Sequence, residues 1–305
     1  MKTILVTGAN GLLGQKIVYA LAEREDVRCI STGIGPNRMK SKSGYQYEEL
    51  DIRDVRNVEL LLEKYRPDAI INTAALTNVD ACEQRREEAI ELNVHAPRVL
   101  ATAAKRVESH FVHLSTDFVF NGEAGPYVET DEPDPLSHYA QTKLDGEQAV
   151  ITACDSWAII RTIIIYGVVD DNSRSNVVLW ALNNLRAGKP INVINDQFRS
   201  PTLAEDLAEA CIEAALRRSQ GIFHCSGRET MCILDMVRIV VDYFGLDHSL
   251  VKPVSSAELN QPAKRPPVTG FIISKAEREL DFRPRNFLEG LTIVKNQLIS
   301  NGVVL

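Results

Sequence analysis

The feature that most limits how this chain can fold is a glycine-rich turn near its N-terminus, between a β-branched run and a helical pattern. The run is Lys2–Thr7, and the turn carries Gly8, Gly11 and Gly14. Glycine permits a tight turn, close approach of the backbone to a ligand, and close packing of a helix on a strand. Strand, turn and helix in this order are typical of a dinucleotide-binding unit, with the pyrophosphate at the helix N-terminus. The spacing is GxxGxxG rather than GxGxxG, and a plain strand-to-helix turn is the alternative.

After this turn, strands and helical patterns alternate through residue 167. Apolar, β-branched runs predict strands at Lys2–Thr7, Val27–Ser31, Tyr47–Leu50, Ala69–Asn72, His110–Ser115 and Trp157–Arg161. Alternation of this kind predicts an α/β fold with a parallel sheet covered by helices on both faces.

Beyond residue 167 the periodicity changes, which indicates a second and smaller part of the chain. The pattern predicts a polar loop at Ser173–Ser175, helices at Asn176–Arg186, Thr202–Arg218 and Ile233–Phe244, and strands at Ile191–Ile194, Ile222–Cys225 and Thr269–Ile273. Ser274 and Asn286 each stand three residues before a glutamate, which predicts two capping boxes that open the last helices.

The end of the second strand bears on the choice of cofactor. An NAD-binding chain commonly has an acidic residue there for the ribose hydroxyls, whereas this chain has Ser31, Thr32 and Gly33, with Arg38 in the next loop. A missing carboxylate and nearby cations suit a 2′-phosphate. NADP(H) is therefore favoured and NAD(H) stays open, with a solvated basic loop as the alternative for Arg38.

Two further segments follow predicted strands and offer contacts to a cofactor. Asp51 and Ile52 come after the third strand, where their side chains could flank an adenine. Thr73, Ala74 and Ala75 come after the fourth, and their small side chains would let a cofactor lie against the backbone.

A long helical pattern from Arg85 to Arg106 contains Pro97. Proline has no N–H to donate to the carbonyl four residues back, so the sequence predicts a kink with a free carbonyl at Asn93. The functional interpretation is a water bound at that carbonyl beside Lys143. A packing kink is the alternative.

A hydroxyl, a phenol and an ammonium group are predicted to meet at one end of the sheet. Thr116 follows a strand, and Tyr139 and Lys143 lie one turn apart on one helix face. A free tyrosine has a pKa of about 10, and a neighbouring ammonium is expected to lower it toward neutrality. Thr116 can donate a hydrogen bond to a reacting oxygen. The set predicts proton transfer to or from a carbonyl or alcohol oxygen, and an accidental Tyr-xxx-Lys pair is the alternative.

Composition argues against several classes of protein. The 305-residue chain is 45% hydrophobic and has a net charge of −7 without a basic block, which argues against nucleic acid as a partner. Its apolar runs are strand-sized, so no membrane span is expected, and the N-terminus has no leader pattern. The six cysteines lack CxxC spacing, so we expect buried, reduced thiols in a cytoplasmic protein and no metal site.

Together these motifs resemble the extended short-chain dehydrogenase/reductase family and, within it, the dTDP-4-dehydrorhamnose reductase-like branch. The motifs are TGANGLLG at Thr7–Gly14, NTAALTNVDACE at Asn72–Glu83, LSTDFVFNG at Leu114–Gly122, YAQTK at Tyr139–Lys143 and DQFRSPTLAEDLA at Asp196–Ala208. The resemblance implies a Rossmann-type doubly wound parallel sheet with a smaller C-terminal α/β substrate lobe. Residues 1–167 would form the NAD(P)-binding Rossmann domain, with 190–225 returning to it, and residues 168–189 and 226–305 would form the substrate-binding lobe.

The resemblance also implies roles for single residues. Catalytic roles fall to Thr116, Tyr139 and Lys143. The cofactor-binding set gains Asn10, Leu12, Leu13, Asn93, Tyr139 and Lys143. The expected neighbours of a nucleotide-sugar substrate are Val79, Asp80, Asp117, Asn176 and Arg199. Arg199 has a fork of donors suited to a diphosphate, and a structural ion pair is its alternative.

At two positions this chain has a residue other than the one typical of that branch. Ile164 stands where those reductases usually have a tryptophan that contacts the sugar. Lys16 stands at about the place of a glutamate that holds Mg²⁺ between subunits in some members. We therefore expect neither that metal site nor the dimer built around it, while a homodimer of another kind stays open.

Three functions fit the sequence. The first is an NAD(P)H-dependent reductase of a 4-keto nucleotide sugar. The second is a nucleotide-sugar epimerase or dehydratase, but dehydratases typically follow the threonine with Asp-Glu, and this chain has Asp117-Phe118. The third is a non-catalytic regulatory subunit resembling that of methionine adenosyltransferase, which shares the VDACE-like stretch.

Overall fold

The computed structural model describes residues 1–171 and 175–304, so most of the loop predicted at Ser173–Ser175 lies outside the described residues. The described strands are β1 (Lys2–Thr7), β2 (Val27–Gly33), β3 (Tyr45–Glu49), β4 (Ala69–Asn72), β5 (His110–Thr116), β6 (Trp157–Thr162), β7 (Ile165–Tyr166), β8 (Ile191–Ile194), β9 (Phe198–Arg199), β10 (Thr202–Leu203), β11 (Gly221–His224), β12 (Met231–Cys232) and β13 (Val251–Val254).

The described α-helices are α1 (Leu12–Ala22), α2 (Val55–Tyr65), α3 (Val79–Gln84), α4 (Arg86–Ile90), α5 (Ala96–Arg106), α6 (His138–Ala153), α7 (Val177–Arg186), α8 (Ala204–Arg217), α9 (Ile233–Phe244), α10 (Ser274–Glu279) and α11 (Phe287–Ser300). A π-helical turn, Glu91–His95, separates α4 from α5, and a 3₁₀ turn, Asp117–Val119, follows β5.

Seven strands form one parallel sheet in the order β11-β6-β5-β4-β1-β2-β3. The order reverses at β1, which pairs with β2 on one side and β4 on the other. Thr7 and Asn72 end β1 and β4 side by side, and the Thr7 hydroxyl donates to Asn72 Oδ1 at 2.6 Å. Ligands of doubly wound folds bind where the strand order reverses. The predicted α/β fold is confirmed, and its expected ligand edge lies beside the glycine-rich turn.

Helices cover both faces of this sheet. Successive residues of β4, Ile70 and Ile71, point to opposite faces, as side chains of a strand do. Ile71 packs in an apolar cluster with Leu207 and other residues of α1 and α8. Ile70 packs in a second cluster with Leu100 and other residues of α2 and α5. The sheet is therefore buried on both sides, as its almost continuous apolar strands require.

A third apolar cluster lies outside the large sheet and is built mainly from α7, α9 and α11. β8 pairs with β13, and its Ile191 and Val193 side chains pack in this cluster. In the range 190–225, which we expected to return to the first domain, α8 and β11 pack with the large sheet and β8 does not. The domain boundaries as a whole stay a prediction.

Two local predictions near the C-terminus are wrong. Residues 269–273 form no strand, because their pairing is limited to an isolated bridge between Phe271 and Tyr127. The capping box at Ser274 does not form either: α10 has Ile273 at its N-cap position, without a side-chain cap. The box at Asn286 and Glu289 does form and opens α11.

The irregularity predicted at Pro97 takes the form of the π-helical turn, with the proline in the first turn of α5, where proline is tolerated. The turn brings the Asn93 carbonyl against α6. A Cβ added to Gly146 would lie 2.2 Å from the Asn93 oxygen. Gly146 therefore lets α6 approach the π-helical turn closely, and the predicted water at this carbonyl stays a prediction.

We expect Gly146→Ala to lower the free energy of unfolding by about 1–3 kcal/mol, because the added methyl group must push α6 away from the Asn93 carbonyl. Urea denaturation measures the change. Gln148→Ala, at an exposed position of the same helix, is the control and should stay within about 0.5 kcal/mol of the parent protein. Equal stability of the two variants would contradict a tight contact at Gly146.

Candidate functional site

Thr116, Tyr139 and Lys143 come together at the carboxyl end of β5. Thr116 ends that strand, and α6 begins at His138 with Ser137 as its cap. All three side chains are buried. Lys143 Nζ donates to the Leu114 carbonyl of β5 at 2.6 Å, so the lysine lies against the strand that carries the threonine.

The phenol of Tyr139 has a raised pKa, not the lowered one expected from its sequence neighbours. Burial is the main cause, because it disfavours the phenolate; hydrogen bonding with the Thr116 hydroxyl acts in the opposite direction, and Asp117 and Cys82 raise the pKa further. Tyr139 packs in a small apolar cluster with Cys82 and Ala89. In the protein as described, the phenol is held neutral and is a proton donor.

Burial acts on Lys143 in the matching direction and lowers its pKa from 10.5 to about 8. The carboxylate of Glu147, one helical turn further along α6, partly restores the charged form. Lys143 is thus an ammonium near pH 7 but is close to its titration range.

Glu147 also fixes α6 to the sheet. Its two carboxylate oxygens accept hydrogen bonds from Arg161 of β6 at 2.9 and 2.7 Å, and both side chains are buried. The Arg161 guanidinium lies over the Phe120 ring, 5.2 Å from its centroid. Sequence reasoning missed this pair, although Glu147 stands four residues after Lys143 on the same helix and could have been identified by that spacing.

Asp117 is buried between two threonines. Thr116 Oγ1 donates to its Oδ1 at 3.0 Å, Thr269 Oγ1 donates to its Oδ2, and Arg199 Nε lies 3.8 Å from Oδ2. Burial raises the pKa of Asp117, while Arg199 and the threonines oppose that shift. Phe118 N donates to Thr116 Oγ1 at 3.2 Å. Thr269 was not identified from the sequence, because it is distant in the chain and belongs to no motif.

Arg199 is not free to bind a diphosphate in this arrangement. Its side chain is 1% exposed, and its terminal nitrogens donate to the carbonyls of Phe198, Pro266 and Pro267 and to Gln197 Oε1. These bonds use the four N–H groups of the two terminal nitrogens. The structure favours the structural alternative for Arg199, which fastens the Pro266–Pro267 segment to β9.

Two other expected substrate neighbours also have partners within the chain. Asp80 accepts from both terminal nitrogens of Arg265, at 3.2 and 2.8 Å, and from the Ala263 backbone. Asn176 caps α7 and donates to the Gly167 carbonyl at 2.8 Å. Val79 begins α3 and packs beside Tyr139. Contacts of Val79, Asp80 and Asn176 to a substrate stay predictions.

The glycine-rich turn has the close approaches that a nucleotide cradle needs. Gly8 has a φ of +72°, and a Cβ on it would lie 2.7 Å from the Thr73 hydroxyl. A Cβ on Gly14 would lie 2.3 Å from the Gly8 carbonyl. Gly11 is the N-cap of α1, so the first amides of this helix face the turn. A larger side chain at Gly8 or Gly14 would clash with these atoms, so the tight turn requires glycine, as a turn that holds the phosphates of NAD(P)(H) does.

Asn10 ties this turn to the loop that follows β2. Its amide nitrogen donates to the carbonyls of Ile34 and Pro36 at 3.3 and 3.1 Å, and its oxygen accepts from Arg38 N at 2.9 Å. The Arg38 side chain is exposed beside the turn. Asn10 therefore holds Arg38, the residue expected to contact a 2′-phosphate, next to the glycine-rich turn.

The remaining cofactor candidates lie around the same edge. Thr32 is fully buried, and its hydroxyl has no hydrogen-bond partner among the described residues. Asp51 pairs with Arg53 at 2.6 Å, next to the buried Ile52. Asn93 exchanges hydrogen bonds with the Leu76 backbone, which anchors the Thr73–Ala75 segment. Leu13 is buried, and Leu12 lies against Gly167. Their contacts to a cofactor stay predictions.

Two surface cavities lie elsewhere, one beside Arg228 and Phe287 and the other beside Arg24 and Phe282. We place the site at Tyr139 because the buried hydroxyl, phenol and ammonium groups converge there. Among the residues described, no group of His, Cys, Asp and Glu side chains could hold a metal ion. No helix in the described chain is long and apolar enough to cross a membrane.

The fold and site define a dinucleotide-binding α/β protein with a Thr–Tyr–Lys set at its ligand edge. The family model described as the RmlD substrate binding domain matches residues 1–299, so the chain belongs to this family. The resemblance to dTDP-4-dehydrorhamnose reductases is confirmed.

The similar solved structures include dTDP-4-dehydrorhamnose reductases. One from Clostridium acetobutylicum has a TM-score of 0.86 and 32% identity, covering 97% of this chain and 99% of that one. One from Bacillus anthracis, in complex with NADP, has a TM-score of 0.84 and 26% identity, with the same coverage.

Among curated proteins, the probable low-salt glycan biosynthesis reductase Agl14 of Haloferax volcanii is 34% identical over 90% of this chain and 91% of its own length. Methionine adenosyltransferase 2 subunit beta of Rattus norvegicus is 32% identical over 90% of this chain and 82% of its own length.

Replacing Lys143 should make the protein more stable, because the replacement removes a buried charge. The folded-state pKa of about 8 lies below the ordinary 10.5, so the unfolded chain binds the proton more tightly. The buried ammonium is therefore destabilising below pH 8, and this effect fades as the pH rises toward 10.5. We expect Lys143→Met to raise the free energy of unfolding by about 2 kcal/mol at pH 7.

Urea denaturation at pH 7 and pH 9.5 measures this gain, which should shrink at the higher pH. Lys105→Met is the matched control, because Lys105 is exposed on α5 and should show little change at either pH. A Lys143→Met protein less stable than its parent at pH 7 would contradict the lowered pKa.

Proposed function

We propose that this protein is an NAD(P)H-dependent reductase of a 4-keto nucleotide sugar, similar to dTDP-4-dehydrorhamnose reductase. The observation that carries the proposal is the buried Thr116, Tyr139 and Lys143 set, placed beside a glycine cradle at the sheet edge where the strand order reverses. The reductase relatives support the same conclusion.

The cofactor, when bound, supplies the hydride that reduces the ketone carbon. Tyr139 donates its proton to the ketone oxygen, because burial keeps the phenol protonated until the oxygen gains negative charge. The phenolate left behind is stabilised by hydrogen bonding with Thr116 and by the positive charge of Lys143 on the next turn of α6. Leu114 positions the Lys143 ammonium through its carbonyl.

The dehydratase alternative needs a second acid/base group after the threonine. Asp117 is enclosed by Thr116, Thr269 and Arg199, and the next residue is Phe118 instead of an acid. Because this second acid is missing, the reductase is better supported than the dehydratase. An epimerase is distinguished by its product: it returns its cofactor oxidised, whereas a reductase consumes NADPH.

The regulatory-subunit alternative is supported by the methionine adenosyltransferase relatives. It predicts binding to a synthetase without turnover. Oxidation of NADPH with a panel of keto nucleotide sugars, run beside a pull-down with purified methionine adenosyltransferase, separates the two functions. A synthetase complex together with no turnover would overturn the reductase proposal.

For the cofactor we propose a preference for NADPH over NADH. The β2 end carries Thr32 and Gly33 instead of a carboxylate, and Asn10 holds the backbone of Arg38 at the turn. The similar Bacillus anthracis reductase is in complex with NADP. Both observations suit a 2′-phosphate beside Arg38.

We also propose a cytoplasmic location, because the six cysteines are all free and buried. A homodimer stays a hypothesis that light scattering tests. At Lys16, the ammonium pairs with Glu205 at 3.0 Å and donates to Gln297 at 3.1 Å. The Lys16 ammonium, which is paired within one chain, thus occupies the place where some relatives are expected to hold Mg²⁺. This supports the expectation that the protein lacks that metal site.

Tyr139→Phe should lower turnover by roughly two to four decades, because the variant keeps the ring but loses the proton donor. NADPH affinity should be nearly unchanged. The measurement is NADPH oxidation with the best keto sugar of the panel, with Tyr243→Phe as the control at a position outside the site. Turnover close to that of the parent would rule out Tyr139 as the acid.

Arg38→Ala should weaken NADPH about tenfold or more while leaving NADH binding within about twofold, because only NADPH offers a phosphate to the guanidinium. Titration of nicotinamide fluorescence measures both dissociation constants. Lys42→Ala is the matched control, since its ammonium bonds to the Asn37 carbonyl in the same loop. Equal losses for both cofactors would contradict a 2′-phosphate contact.

A further inference from the structure

We propose that Thr269 is a positioning residue for the catalytic hydroxyl of Thr116 and that it acts through Asp117. The inference rests on the proposed reductase function, because it concerns the geometry of that reaction. Thr269 lies 152 residues after Asp117 and is fully buried.

The contact chain runs through the two oxygens of one carboxylate. Thr116 Oγ1 donates to Asp117 Oδ1 at 3.0 Å, and Thr269 Oγ1 donates to Oδ2. Asp117 is 2% exposed, so water does not compete freely for either oxygen. A carboxylate held at both oxygens cannot rotate about its Cβ–Cγ bond without breaking one of these bonds. The direction of the Thr116 hydroxyl therefore depends on Thr269.

This direction decides what Thr116 can do. A threonine hydroxyl has one proton to donate and two lone pairs. Its proton is directed to Asp117, and one lone pair accepts from Phe118 N at 3.2 Å. The same side chain forms the hydrogen bond with Tyr139 that favours its phenolate form. Thr116 thus reaches the phenol from a position that Asp117 and the Phe118 amide hold fixed.

Thr269 is itself held by the backbone of the chain's second half. Its N–H donates to the Phe198 carbonyl at 3.0 Å, and Phe198 N donates to the Pro267 carbonyl at 2.8 Å. Arg199 adds bonds to the Pro266 and Pro267 carbonyls at 2.6 and 3.1 Å. The segment that carries Thr269 is therefore fixed to β9, and the threonine hydroxyl transmits this fixed position to the β5 end.

The conservative and the disruptive variants of Thr269 test the proposal. Thr269→Val keeps the shape but removes the hydroxyl, and Thr269→Ser keeps the hydroxyl. We expect Thr269→Val to lower kcat about tenfold, with KM for the keto sugar and the NADPH dissociation constant within about twofold of the parent. Thr269→Ser should restore kcat to within about threefold. Thr230→Val is the matched control, because the Thr230 hydroxyl pairs with that of Ser200 beside the same segment, at 2.8 Å, and its loss should leave kcat unchanged.

A second measurement does not depend on turnover. Thr116→Val, Thr269→Val and the double variant are unfolded in urea. If both threonines act on one carboxylate, the double variant's unfolding constant should depart at least about threefold from the product of the two single effects. A double variant built from Thr116→Val and Thr230→Val should show no such departure.

The outcomes are distinct. A Thr269→Val protein with parental kcat, or additive effects in unfolding, overturns the positioning role. A fall in kcat that Thr269→Ser does not restore also overturns it. A parent protein that reduces no keto sugar but shows the Thr116–Thr269 coupling overturns the proposed function and leaves the contact chain in place.

Discussion

The buried ion pair between Arg161 and Glu147 fixes the helix on which the site depends. Two parallel hydrogen bonds join β6 to α6, and both charges are shielded from water. Breaking a buried pair by removing one partner typically costs about 3–5 kcal/mol, because the remaining charge is left unpaired. Tyr139 and Lys143 lie on this helix, and the Glu147 carboxylate also supports the charge of Lys143. One interaction thus sets both the position of the catalytic helix and part of its electrostatics.

Burial shifts the two titrating groups of the site in opposite directions along the pH scale, but for one reason. It raises the pKa of Tyr139 and lowers that of Lys143, since each charged form is disfavoured away from water. Tyr139 is a neutral phenol, and it lies one helical turn from an ammonium group whose proton is weakly held. Such a phenol is suited to donating a proton at the moment when negative charge develops on a substrate oxygen. The raised pKa of Tyr139 is therefore consistent with reduction, in which the tyrosine acts as an acid.

Several residues that resemble ligands in the sequence serve the protein's own backbone. Proline lacks an N–H but keeps its carbonyl, so a Pro-rich segment leaves acceptors that need donors from elsewhere. Arg199 supplies these donors to Pro266 and Pro267, and Asp80 holds Arg265 in the same segment. These contacts join the second half of the chain to the catalytic strand end, where Thr269 reaches Asp117. Residue type alone does not distinguish a ligand-binding arginine from one that satisfies backbone carbonyls.

The sequence by itself determined the parallel sheet, the glycine cradle and the pairing of Tyr139 with Lys143, because each follows from local spacing: strand length, the Gly8–Gly14 turn, and one helical turn. It could not determine the sign of the Tyr139 pKa shift, since that depends on Cys82 and other residues that surround the phenol only after folding. It also could not find Thr269, nor decide between the two roles of Arg199, because the partners of both residues come from distant parts of the chain. The absence of a strand at 269–273 has the same origin, because a strand needs a partner in register, and in the described part of the chain that segment has a single bridge, from Phe271 to Tyr127. Local patterns specify elements and motifs, whereas desolvation and long-range hydrogen bonding are decided by the tertiary structure.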